Sequence, residues 1–152
     1  MLFTDAPWPL ALVALTLVTM CGVMSLRALG LPPAGPDRLV AELRLAQLAS
    51  GVLAFTAAGY VGLAAANPGV DGTGLEVTLA CGFLMVAVVA PLRDPREALT
   101  MVASAFVGHA VVDMLHGPGW LPAGAVPRWY ALGCAVTNAA IAALCYLPLA
   151  RR

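Results

Sequence analysis

Two histidines and one aspartate carry whatever chemistry this chain has. His109, Asp113 and His116 lie in the run GHAVVDMLH, and they include the chain's only two histidines. At about 100° per residue, offsets of four and seven put all three on one face of a helix. Along the axis Asp113 lies roughly 5 Å, and His109 roughly 10 Å, from His116. Imidazole is both a metal ligand and the side chain that titrates near neutral pH, and a carboxylate one turn away on the same face suits either use.

Two chemistries follow. His109 and His116 are too far apart along the helix to hold one ion together, and the spacing is not the i, i+4 histidine pair of a metalloprotease helix. One divalent ion would take Asp113 with His109 or His116, completed by Glu76 or Asn138 from other segments. Alternatively the trio forms a short proton relay. Haem held by two histidines from different helices is excluded within one chain, since both share a helix; a pigment or haem with one axial histidine stays open. No nucleophile with a neighbouring base, phosphate loop or dinucleotide fingerprint is present. Plainer readings stand beside these. Thr73 and Glu76 fit a capping box, His116 complements the end of a helix dipole, Asn138 serves as glue between helices, and His109 with Asp113 forms a structural hydrogen bond.

The elements that position these groups are apolar throughout. The chain is 61% hydrophobic and 11% charged, with no lysine and a formal net charge of zero; this excludes a soluble globular domain and a nucleic-acid partner. Hydropathy and turn signals predict an all-α bundle of five transmembrane helices in one domain, over about 8–29, 38–66, 74–92, 95–116 and 127–148. The first run has no positive leader, so it reads as a retained span with Trp8 as an interfacial anchor. LPPAGPD breaks the chain, with Asp37 as the expected N-cap of the second span. Arg38 and Glu42, one turn apart, read as a solvated or snorkelling inner end. Asp94, Pro95 and Glu97 give the residue order of a helix start, and Pro127 opens the last span. Cys21, Cys81, Cys134 and Cys145 are scattered through apolar runs and read as packing residues.

Five spans place Arg27, Arg38, Arg44, Arg93, Arg96, Arg151 and Arg152 on one side, against Asp5, Asp71 and a lone Arg128 on the other. The positive-inside rule then puts the N-terminus outside and the C-terminus in the cytoplasm, which is expected to be that of a bacterial cell with this chain in its inner membrane. In this orientation Tyr60, about 9 Å from the outer end of the second span, and Asn138, roughly 16 Å into the fifth, reach the depth of the histidines. Glu76 lies near the outer end of the third. An ionisable group at the bilayer centre costs at least about 2.5 to 3.5 kcal/mol, so these six should face an outward-opening recess centred on Asp113.

GHAVVDMLH, followed by a turn and VPRWY, resembles a group of small bacterial multi-pass membrane proteins of unknown function. Their pattern is H-x-x-x-D-x-x-H followed by a Trp-Tyr pair. His109, Asp113, His116, Trp129 and Tyr130 match it, over about the last third of the chain. Asn138 stands where the group more usually has an acid. The resemblance implies a site at these residues and no activity.

Two functional classes are expected. One is a site that binds a metal ion or small ligand, or relays protons, with enzymatic activity left open. The other is an accessory subunit or assembly factor of a larger membrane complex, or a homo-oligomer, docking through small-residue faces such as Gly51, Gly59 and Gly62 and through the loop 117–128. Five short spans without an inverted repeat suit a free-standing transporter poorly.

Overall fold

A computed structural model describes residues 7–116, 118–121 and 126–151. Asp5 and Arg152 of the charge argument, and Gly117 and residues 122–125 of the expected docking loop, lie outside them. The chain forms α1 (Pro7–Leu29), α2 (Pro36–Ala66), α3 (Thr73–Val89, prolonged by one 3₁₀ turn, Ala90–Leu92), α4 (Pro95–His116) and α5 (Arg128–Ala150). All five are long and apolar enough to cross a membrane, and their bounds follow the sequence reading within about two residues. A helix is the open-ended element that satisfies its own backbone in an apolar medium, and the side chains obey the same need. Thr16, Thr56, Thr78, Thr100 and Thr137 each return their hydroxyl to the carbonyl four residues back.

Helix α2 touches all four other helices, and α4 packs most extensively on α5. Helix α1 meets only α2 and α5, so it is peripheral. The larger core, around Leu45, Leu53, Leu99, Val102, Phe106 and Ile141, fills the middle of the bundle. A smaller cluster about Ala57, Tyr60 and Ala131 lies at the end that carries the histidines.

Two helix starts differ from the expected ones. Asp37 is not the N-cap of α2: Gly35 is, with Pro36 at the first helical position and Asp37 within the first turn. The capping box of α3 does not form either. Gly72, at φ +93°, is the N-cap, a left-handed conformation that glycine adopts without strain. Thr73 is already helical and donates its hydroxyl to the Val70 carbonyl at 2.6 Å.

At the opposite end, Arg38 and Glu42 are not solvated. They are 3% and 0% exposed, because Arg38 is the clamp that closes the bundle. Its Nε donates to Glu42 Oε1 at 2.8 Å, and its Nη2 donates to the Pro148 and Arg151 carbonyls at 2.7 and 2.8 Å. The last carbonyls of α5 have no intrahelical partner and carry the negative end of the helix dipole, which a guanidinium complements. Arg96 of α4 approaches the other oxygen of Glu42 at 3.4 Å and donates to the Pro33 carbonyl at 3.2 Å.

Helix α5 runs two residues past Pro148, the expected end of the span. Proline brings no N–H to the carbonyl four residues back, here that of Leu144. Ser25 of α1 supplies the missing donor, its hydroxyl reaching that carbonyl at 2.7 Å.

Of the cysteines, Cys21 and Cys145 are buried packing residues as expected; Cys81 is exposed on α3 and Cys134 half-buried on α5.

Candidate functional site

The six residues singled out by the sequence come together. Tyr60 from α2, Glu76 from α3, His109, Asp113 and His116 from α4, and Asn138 from α5 are all buried at one end of the bundle. Asp113 is the hub. One carboxylate oxygen accepts from the Tyr60 hydroxyl, and the other accepts from Asn138 Nδ2 at 2.9 Å. His109 Nδ1 lies 3.0 Å from Asn138 Nδ2 and 3.3 Å from Asp113 Oδ2. As an acceptor, Nδ1 takes a hydrogen from Asn138; as a donor, it gives one to Asp113. One nitrogen cannot do both at once, so the tautomer of His109 decides which contact holds.

His116 is fixed differently. Its Nδ1 is 2.7 Å from the Val112 carbonyl, which can only accept, so Nδ1 carries the hydrogen. Nε2 then faces Glu76 Oε1 at 3.6 Å. An imidazole lone pair and a carboxylate repel each other, so the pair is stable with a proton on one of the two groups. Glu76 is therefore a partner of His116 and not a helix cap. Neither Glu76 oxygen has a hydrogen-bond partner among the described residues, and neither does Asn138 Oδ1.

A cavity of about 10 Å³ lies between Tyr60, Glu76, Phe83, His109, Val112 and His116. That is the volume one water needs. Phe83, 4.5 Å from His109 between ring centroids, and Tyr60, edge-on at 5.2 Å, hold the imidazole from two sides. Sequence reasoning missed Phe83, since an apolar residue in an apolar span carries no signal. Tyr130, from the matched Trp-Tyr pair, packs edge-on against Tyr60 at 5.8 Å. Tyr130 also occupies the space over Gly59: a Cβ on Gly59 would lie 2.6 Å from its hydroxyl. Gly59 thus serves α5 of its own chain and is no free docking face, whereas Gly51 and Gly62 have nothing within 4 Å of such a Cβ.

Among the described residues no group of three His, Cys, Asp or Glu side chains is placed to hold a metal ion. Asp113 and His109 are turned toward Asn138 and Tyr60, and His116 toward Glu76. No protein-family model, curated protein or solved structure matches the chain. Fold and site together define a class: an all-helical bundle, five of whose helices could cross a membrane, with a buried cluster of His, Asp, Glu, Tyr and Asn at the end opposite most of its arginines.

Proposed function

We propose that this is a multi-pass protein of a bacterial inner membrane, with its N-terminus outside and its C-terminus cytoplasmic, that takes up protons at its outer end and relays them into the bundle. The observation that carries this reading is the water-sized cavity walled by Glu76, His109 and His116. Small-molecule sites occupy on the order of 300 Å³ or more, so a water and a proton fit where a larger ligand does not. A proton enters on the Glu76–His116 pair and crosses one water to His109 Nε2 while Nδ1–H points at Asp113. The Nδ1 hydrogen passes to the carboxylate as Nε2 takes up the new one, which leaves the tautomer whose Nδ1 accepts from Asn138. Tyr60 and Asn138 hold Asp113 by donating to it.

The relay ends there. One turn deeper, Ala57, Phe106 and Ile141 are buried and apolar, so the reading is uptake from one side and not conduction across the membrane. A divalent ion remains the competing ligand for Asp113, His109 and His116, and its mark would be one metal per purified chain.

Histidine NMR of the protein in lipid nanodiscs, titrated between about pH 5 and 8, tests the proposal. Glu76→Gln should move the resonances of His116 and, across the cavity, those of His109, while the bundle stays folded. Curves unmoved by both Glu76→Gln and Asp113→Asn would sink it.

A further inference from the structure

A second polar site lies at the arginine end, on the outer surface between α4 and α5. A groove of about 280 Å³ is lined there by Arg96, Glu97, Thr100, Tyr146, Leu149 and Arg151. It is many times larger than the 10–15 Å³ or so that one water needs. We propose that it seats the phosphate of an anionic glycerophospholipid. This rests on the reading of the bundle as a membrane protein.

Charge and donors point to a phosphate. The Arg151 side chain makes no hydrogen bond or ion pair among the described residues; only its backbone carbonyl is used, by Arg38. Arg96 uses Nε and one terminal nitrogen on Glu42 and Pro33, which leaves further N–H groups of its five free. Tyr146 adds an exposed hydroxyl. Glu97 is offset by Arg93 at 3.8 Å. Two guanidiniums and a phenol converging on one groove suit a phosphate, which arginine binds with a fork of parallel N–H donors.

The surroundings point to a lipid and not to a free anion. Beyond Thr100 the same face of α4 continues through the small, exposed Ser104 to Val107, Val111 and Met114, which are exposed and apolar at helical spacing. An acyl chain can follow that face into the bilayer from a head group held in the groove. Basic pockets between membrane helices are used in this way for anionic head groups.

The test is native mass spectrometry of the full chain released from nanodiscs of phosphatidylglycerol and phosphatidylcholine in equal parts. One phosphatidylglycerol should be retained in preference to phosphatidylcholine. Arg151→Gln should weaken that retention roughly fivefold, and Arg96→Gln/Arg151→Gln roughly 30-fold, at about 1 kcal/mol per arginine. The Arg151 variant leaves the Arg38 clamp intact, since that clamp uses only the main chain of residue 151. Arg128→Gln, at the other end, should change nothing. Equal retention of the two lipids, or an Arg151→Gln protein that still prefers phosphatidylglycerol, overturns the proposal. So does displacement of the lipid by millimolar glycerol phosphate, which would mark a plain anion site. Failure to enter the nanodisc would instead overturn the membrane reading itself.

Discussion

Asp113 owes its place to two donors that reach it from other helices, Tyr60 from α2 and Asn138 from α5, joined by His109 of α4 itself in the tautomer that carries a hydrogen on Nδ1. Its substitution therefore separates charge from shape. In Asp113→Asn the Tyr60 contact survives, but the new amide nitrogen faces Asn138 Nδ2, donor against donor. The expected loss is about 1 to 3 kcal/mol, read as a lower melting temperature in detergent together with a lost pH response. Asp113→Leu strands both Tyr60 and Asn138 and should cost more. If Leu is tolerated better than Asn, the hydrogen bonds seen here are not what holds the site. Glu42 gives the opposite end its own test. Removing its charge leaves Arg38 buried against carbonyls alone, and Glu42→Leu should cost about 3 to 5 kcal/mol. The larger loss at Glu42 than at exposed Glu97, measured by chemical denaturation, checks that the clamp is buried.

Two pairs of residues govern how the helices sit against one another, and each can be examined by a double-mutant cycle. Ser25→Ala leaves the Leu144 carbonyl without a donor, at a cost of about 1 to 3 kcal/mol. Pro148→Ala returns an N–H within α5, so the second change should recover most of what the first loses. Additive losses would mean that the Ser25 contact does not compensate for the proline. Gly59 and Tyr130 form the second pair. Gly59→Ala puts a methyl group into the Tyr130 hydroxyl and should cost about 1 to 3 kcal/mol by overpacking. Tyr130→Phe removes the clashing oxygen, since the ring carbon that bears it is 3.9 Å from the added Cβ, and Gly59→Ala should then be close to neutral. These cycles, unlike single changes, are insensitive to general weakening of the bundle.

Across the whole molecule the two ends differ in kind. Arg27, Arg38, Arg44, Arg93, Arg96 and Arg151 gather at the end closed by the Arg38 clamp. The other end has the buried carboxylates Glu76 and Asp113 and exposed Trp8, Trp120 and Trp129, a placement suited to a membrane interface. A reporter fused after Arg152 should read cytoplasmic, and one inserted between Gly117 and Ala125 should read external. Two reporters on the same side would break the proposed topology. An accessory role would use the exposed stripe of Gly51, Phe55, Ala58 and Gly62 on α2. Gly62→Leu releasing a partner protein, with Asp113→Asn silent, would favour that role over proton uptake.

Sequence alone determined the five helices and their bounds, because hydropathy, proline and glycine act locally and a membrane-length apolar run has few alternative folds. It also determined that His109, Asp113 and His116 share a face, since helical spacing is arithmetic. Their common end with Tyr60, Glu76 and Asn138 followed from alternating spans. What those groups touch was decided only by tertiary structure. The T-x-x-E spacing of Thr73 and Glu76 is the same whether or not the box forms, and it was the placement of α3 beside α4 that set Glu76 against His116. Likewise Arg38 and Glu42 look like a solvated i, i+4 pair until the end of α5 arrives with carbonyls that need a donor. Small apolar residues carry the least information of all: Gly59 is equally suited to a partner chain or to Tyr130, and only the packing of α5 on α2 distinguishes the two.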